Sequence, residues 1–324
     1  HYMFNFKGEP VWEIEKADPD FYKSIFEIFA DKIDADTKKK PLVLRDFYTD
    51  TYYNGVFDET KQQFDDEYPL TPTNKSSIND FFRSHGRPNA DYIPDARVFF
   101  DASNDKGLQL DEVPYYVNLF RKTSYMMSPE ENVKELTYGE AIEIQNVAPN
   151  FYKLVMHILG DGKPEFEHFI NWLAYIYQEK QKAMTAWIFT GVPGTGKGVL
   201  IQKVLKPLFG EQQVPMRSLE NIEEQFNLYM RTALFLVVDE FRMSDSGNTN
   251  RMADKLKHQV TEPTLTIRAM RTNQVELPSF CNFIFLTNRG DAVKIEDGDR
   301  RYNVGPRQES KLQHSIPELL DNLD

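Results

Sequence analysis

The chain has 324 residues, of which 40% are hydrophobic and 13% aromatic, and its formal net charge is −12. The composition excludes a disordered chain, the length calls for two or more domains, and the acidic balance argues against one large basic face that coats nucleic acid. The single Cys281 excludes an internal disulfide and fits a reducing compartment, and without a run of eighteen uncharged apolar residues no membrane-spanning helix is expected. The charge is uneven. Residues 1–150 hold 28 acidic and 17 basic side chains, whereas residues 151–324 hold 22 and 21. Contact with a phosphate backbone is therefore expected in the second half, and locally.

In chain order, Phe21, Ile25, Phe26, Ile28 and Phe29 recur at helical spacing and predict a helix over 19–32. Residues 33–80 are rich in Asp, Lys, Thr, Asn and Pro and read as loops around short elements, with Lys38-Lys39-Lys40 as a solvated helix end. Residues 97–101 and 115–120 are β-branched or aromatic runs bounded by turn formers, and so read as strands. Helices are expected from Phe151 and, after the Gly160-Asp161-Gly162 break, from Phe166 to Gln181. Then buried strands alternate with helices: a strand at 186–190, a helix from Gly198 to about Phe209, a strand at 233–238 and a helix at 252–260. A hairpin over 264–277 and a strand at 282–287 follow. Near-continuous apolar strands separated by helices predict a parallel sheet covered on both faces. The fold class is thus α/β: with Gly191-Val192-Pro193-Gly194-Thr195-Gly196-Lys197 between the 186–190 strand and the next helix, a P-loop core with a parallel sheet, preceded by a helical segment and a mixed α+β accessory domain. The boundaries are 1–145 for the accessory domain, 146–184 for a helical linker or collar, 185–306 for the core and 307–324 for a C-terminal tail.

Gly191-Val192-Pro193-Gly194-Thr195-Gly196-Lys197 carries the chemistry. Glycines let backbone N–H groups approach phosphates, the following helix adds its partial positive charge, and the lysine reaches the β and γ phosphates. The loop lies between a strand and a helix, as such a loop must. The next residue is Gly198, where the usual pattern has a Ser or Thr hydroxyl for Mg²⁺; Thr195 lies on the wrong side of Lys197 to replace it simply. Phosphate binding is a firmer expectation than fast hydrolysis. Asp239 and Glu240 end a buried strand, so the first carboxylate can hold Mg²⁺ through water and the second can orient or deprotonate an attacking water. Asn288 ends the next strand and can touch the γ-phosphate or that water, or simply serve as a turn residue. Arg300 and Arg301 follow an acidic turn and either pair with it or act as an arginine finger on a neighbouring subunit. Arg251, Lys255, Lys257, Arg268 and Arg271 outnumber Asp254 and Glu262 locally. The last two arginines stand at the hairpin tip, where they either follow a phosphate backbone or are merely solvated. His258 reads as a surface or packing residue, and no His/Cys cluster suggests zinc.

Taken together, GVPGTGKG, FLVVDEF, the segment 256–263 with its hairpin, FLTN and GDRRY resemble the superfamily 3 helicases of phages, plasmids and small DNA viruses. The likeness is to the helicase part of phage replication proteins in which a primase-polymerase precedes it, and covers about residues 165–305. It implies an AAA+-like ATPase that forms a hexameric ring on single-stranded DNA in the cytoplasm, that of the host for a phage protein. It further implies ATP on Gly191–Lys197 and Gly198, Mg²⁺ at Asp239, Glu240 as water activator and Asn288 as sensor. Arg300 or Arg301 would reach across the interface, and Arg268 and Arg271 would lie on the channel hairpin. With no primase or polymerase signature in view, the chain reads as a helicase fragment or stand-alone module. As a fragment it would be a monomer, and the primase-polymerase would be in the same or a separate chain. The alternative is a nucleotide-binding assembly module of a replication complex with little unwinding of its own; a small-molecule kinase fits less well, since it has no need of the FLTN and GDRRY arrangement.

Overall fold

In the computed structural model, the described residues are 2–4, 10–13, 38–65, 67–86, 88–89, 92–104, 106–109, 115–127, 143–218, 228–240, 249–267, 275–289 and 298–315. The expected helix over 19–32 lies outside them. The chain forms two compact units, residues 1–121 with 269–275 and residues 122–268 with 276–324. The architecture is mixed α/β.

Besides the short antiparallel pair β1 (Tyr2–Phe4) and β2 (Pro10–Glu13), the first unit is built on a seven-stranded mixed sheet. Its middle is an antiparallel pair of eight-residue strands, β3 (Lys39–Asp46) and β4 (Thr51–Asp58), in continuous register from Lys39↔Asp58 to Asp46↔Thr51. Short strands β5 (Gln63–Phe64) and β6 (Thr71–Thr73) both pair with β4. Helix α1 (Ile78–Ser84) follows, then β7 (Asp95–Phe99), β8 (Leu108–Gln109) and β9 (Tyr115–Asn118) complete the order β5-β4-β3-β7-β9-β8.

This corrects the reading of 33–80 as loops around short elements, since β3 and β4 are eight residues long. Leu42 and Leu44 meet Tyr53, Phe57, Val98 and Val117 on one face, while Val43 packs with Ile78 and Phe82 of α1 on the other. Polar residues at Lys39, Lys40, Arg45 and Asn54 obscure the alternation in the sequence. Lys38–Lys40 is not a helix end: Lys39 and Lys40 open β3 and pair with Asp65 at 2.6 Å and Glu59 at 2.5 Å.

In the second unit, α2 (Pro149–Ile158) and α3 (Lys163–Glu179) are separated by a turn in which Gly160 and Asp161 both take positive φ, 60° and 61°. Strand β10 (Ala186–Thr190) then leads through residues 191–196 into α4. This helix consists of Lys197–Val199, a π-helical stretch Leu200–Leu205, and Lys206–Phe209. Strands β11 (Met216–Arg217) and β12 (Phe235–Val238), helix α5 (Thr249–Thr261), the pair β13 (Thr264–Ile267) and β14 (Val275–Pro278), β15 (Asn282–Thr287) and β16 (Tyr302–Val304) follow.

The five strands β11-β12-β15-β10-β16 form one sheet, parallel at every pairing. Alternate residues of these strands serve two cores. Ile188, Leu236, Phe283 and Phe285 face Leu256 and Val260 of α5. On the other side Trp187 and Phe189 meet Phe169 of α3 edge-on at 5.2 and 5.3 Å, and Phe209 of α4 meets Phe235 at 4.7 Å. Both faces are thus covered, which is why the strands read as unbroken apolar runs. The Lys182 ammonium, itself buried, donates to the carbonyls of Gln259 (2.6 Å) and Glu262 (2.8 Å) and to Ser279 Oγ (3.3 Å), tying the end of α5 to the end of β14.

Phe285 is fully buried in the middle of this sheet. Phe285→Ala is expected to destabilise the second unit by about 3–5 kcal/mol, read as a shift in its chemical denaturation midpoint.

Candidate functional site

The parallel register brings the carboxyl ends of β10, β15 and β12 to one edge. Thr190 pairs with Thr287 and Val238 with Phe285, so Gly191 and Asn288 leave the sheet level with each other, and Asp239 leaves at the same end level with Leu286, two residues before Asn288. The chain runs from β10 to the far edge of the sheet, returns through β12 and β15, and then crosses to β16 on the other side of β10. Ligands of open α/β sheets bind at such a reversal, outside the carboxyl ends.

Residues 191–196 arch between β10 and α4. Gly194 and Gly196 have φ of 87° and 90°, a left-handed conformation that side chains rarely adopt. At Gly196 the space is also closed, since a Cβ would lie 3.0 Å from Leu154 and 3.1 Å from Leu312. Lys197 bends back over the loop and donates to the carbonyls of Gly191 (2.9 Å) and Val192 (3.3 Å) and to Thr195 Oγ1 (3.1 Å). Its ammonium is buried; burial first, and the Arg307 guanidinium second, push its pKa down to about 8 against the opposing pull of Asp239. A Cβ at Gly198 would meet nothing within 4 Å, so packing does not demand the glycine there.

Asp239 receives the chain at the end of β12, where its N–H donates to the Arg217 carbonyl at 3.0 Å. Its carboxylate accepts from the Glu240 N–H at 2.9 Å. Glu240 is exposed and has φ of 50°, an unfavourable conformation for a residue with a side chain. The Asn288 carbonyl accepts a hydrogen bond from Arg307 Nη1 at 2.8 Å.

Arg307 and Gln308 escape sequence reasoning, which assigns them to a tail. Beyond β16 the chain continues along β10, and Gln308 pairs with Gly191 as a parallel bridge. Its N–H donates to Thr190 (3.1 Å), its carbonyl accepts from Val192 (2.9 Å), and four residues on the Leu312 N–H donates to Gly194 (2.8 Å). The Gln308 side chain is buried and donates to the His157 carbonyl of α2 at 2.6 Å. The one legible signal is the proline-arginine-glutamine run itself, polar but short, with no periodicity.

Arg300 and Arg301 stand at the opposite edge. Tyr302 pairs with Ala186, the first residue of β10, and the Arg301 carbonyl accepts from the Ala186 N–H at 2.8 Å. The length of β10, about 16 Å at roughly 3.3 Å per residue, separates them from their own glycine-rich loop. Arg301 pairs with the buried Asp299 carboxylate at 3.2 Å, whereas Arg300 is exposed. Arg268 and Arg271 lie outside the described residues. His258 is a surface residue, 3.9 Å from Glu262. Among the described residues no three His, Cys, Asp or Glu side chains gather as a metal cage, and no helix is long and apolar enough to cross a membrane.

Residues 189–301 match a family described as of unknown function, DUF5906. The chain is homologous to the DNA primase-polymerase of Nitratiruptor phage NrS-1, with 33% identity over 216 residues that cover 64% of this chain. It spans only 28% of that relative's length. Apo structures of the NrS-1 C-terminal region superpose with TM-scores of 0.66 and 0.67 at 27% and 28% identity. They cover 92% and 95% of this chain and 66% and 68% of theirs. The mixed α/β architecture is therefore shared with the C-terminal region of a phage primase-polymerase.

Lys197 makes stability pH-dependent. Its folded-state pKa of about 8 lies below the ordinary 10.5, so between these values the unfolded chain holds the extra proton. Raising the pH through that window is expected to raise the melting temperature of the ligand-free chain relative to Lys197→Met, which lacks the titrating group; parallel melts from pH 7.5 to 10 measure it.

Proposed function

We propose that this chain is an ATP-dependent DNA translocase or helicase of phage-type DNA replication, with an AAA+-like P-loop core. The observation that carries the proposal is the convergence of the Gly191–Lys197 loop, Asp239 and Asn288 at one sheet edge, in a homologue of a phage DNA primase-polymerase. The loop and Lys197 bind the phosphates of ATP. The triphosphate draws the Lys197 ammonium away from the carbonyls that now hold it. Glu240 takes a proton from water as the water oxygen attacks the γ-phosphorus; the bond to the bridging oxygen breaks and ADP leaves. Asn288 orients that water.

The donor set suits Mg²⁺ held mainly through water, since Mg²⁺ keeps several waters and needs only one or two carboxylates plus substrate phosphates. Asp239 is the residue that would hold it, and the ion supplies charge neutralisation of the phosphates when bound. Arg300 is the arginine finger, acting on a neighbouring subunit of a hexameric ring, because Arg301 is committed to Asp299 and neither reaches its own loop. Arg268 and Arg271 contact single-stranded DNA.

Gly198, without a hydroxyl, favours a second reading, a nucleotide-holding assembly module with little unwinding of its own. Light scattering with ATP and single-stranded DNA, ATPase assays and strand-separation assays separate the two. Single-stranded DNA is expected to stimulate ATP turnover. Lys197→Ala abolishes nucleotide binding, and Glu240→Gln keeps it while lowering turnover by about 10²–10⁴. Arg300→Ala lowers turnover by about 10³ or more with nucleotide affinity kept, whereas Arg301→Ala shifts the melting temperature. Turnover indifferent to DNA, or persisting in Lys197→Ala, sinks the helicase reading; measurable strand separation sinks the assembly-module reading.

A further inference from the structure

The return segment after β16 does more than close the sheet. The bridge between Gln308 and Gly191 puts Arg307 level with the last residue of β10, on its β16 side. Asn288 follows β15, on the other side of β10. To donate from Nη1 to the Asn288 carbonyl at 2.8 Å, the Arg307 side chain must cross over the end of β10, where the glycine-rich loop begins. Its Nε donates to Glu309 at 2.7 Å, and neither bond uses Nη2. The side chain is about one-third exposed, so an anion at the sheet edge can reach it. An arginine presents five N–H donors in a planar fork that suits phosphate oxygens. Lys197 approaches the same place from the start of α4, and the next residue, Gly198, brings no hydroxyl for a metal ion.

We infer that Arg307 is a second cation of the nucleotide site, supplied by the chain's own return segment. It binds the terminal phosphates of ATP directly and takes over part of the charge neutralisation that a hydroxyl-held metal ion would supply, so that ATP binding depends only weakly on Mg²⁺. The inference rests on the nucleotide reading above. A purely structural Arg307, one that only anchors the segment to Asn288, would affect ATP and ADP alike. A cation on the terminal phosphate discriminates between them. Glu309 competes with the phosphate for the guanidinium, so its removal frees the arginine.

The test is equilibrium binding of ATP and ADP to the full chain, in Mg²⁺ and in EDTA, for the parent, Arg307→Gln, Glu309→Gln and Lys197→Ala, with thermal melts as the check on folding. Parent ATP affinity is expected to change less than about threefold when EDTA replaces Mg²⁺. Arg307→Gln loses about tenfold or more for ATP, the range of a charge-assisted hydrogen bond, and clearly less for ADP. Glu309→Gln binds ATP as tightly as the parent or more tightly. Should Arg307→Gln fail to fold, Arg307→Lys preserves a cation, and Glu309→Gln tests the same contact from the other side. Equal losses for ATP and ADP, an unchanged ATP affinity in Arg307→Gln, weaker ATP binding in Glu309→Gln, or loss of parent binding in EDTA overturns the inference. In those cases the nucleotide reading stands as long as Lys197→Ala abolishes binding; a parent that binds no ATP in either buffer ends both.

Discussion

Two backbone hydrogen bonds, from Gln308 to Thr190 and from Val192 back to Gln308, close the return segment onto the base of the glycine-rich loop. The rest of the sheet edge depends on this closure. Gln308 is buried, and its amide is satisfied by the His157 carbonyl on one side and the Ser310 N–H on the other. Removing it would orphan buried polar groups as well as a length of ladder, so the segment is held firmly where it lies. The loop is thereby gripped from two directions, by α4 that continues it and by the segment beside it. Leu312 completes the grip by bonding Gly194 and packing on Gly196. Lys197, the loop's one long charged side chain, adds three hydrogen bonds to it from within.

The parallel register does the remaining sorting. Because β10, β12 and β15 run the same way, an acid, an amide and a cation that are far apart in sequence arrive at one edge without any loop having to carry them there. The same register sends Arg300 and Arg301 to the other edge, since they precede β16 rather than follow it. A residue's end of the sheet decides whether it can reach its own loop. Burial then tunes what arrives. Lys197 sits between Arg307, which opposes its charge, and Asp239, which favours it, in surroundings that disfavour the charge altogether.

The second unit was largely legible because its three central strands, β10, β12 and β15, are buried on both faces. Trp187 to Phe189, Phe235 to Val238 and Phe283 to Leu286 are apolar without interruption, and turn-forming residues mark their ends. Observed helix limits differ from the expected ones by a turn or less, as at α3, which begins at Lys163, three residues before the first apolar position. In the first unit β7 and β9 were legible as the expected strands at 97–101 and 115–120, but residues 33–80 were not. Its long strands β3 and β4 alternate imperfectly, with Asn54 and Gly55 breaking the pattern. Their stability comes from pairing with each other over eight residues and from Lys39 and Lys40 finding acids elsewhere in the chain. Only contacts between distant residues make those strands, and composition alone argued for loops.

The amino-acid sequence by itself determined the glycine-rich loop, its lysine, the absent hydroxyl at Gly198 and the acids and amide at the strand ends. These follow from residue type and spacing along a single strand–loop–helix, where local backbone chemistry suffices. Only the tertiary structure decided that Arg301 is tied to Asp299 while Arg300 is exposed, and that residues 307–312, which looked like a tail, line the loop. Those facts depend on which strand lies beside which and on the edge from which each residue emerges. A parallel sheet fixes both through pairings of residues more than a hundred positions apart, as Gly191 with Gln308, and no local pattern in the chain records them.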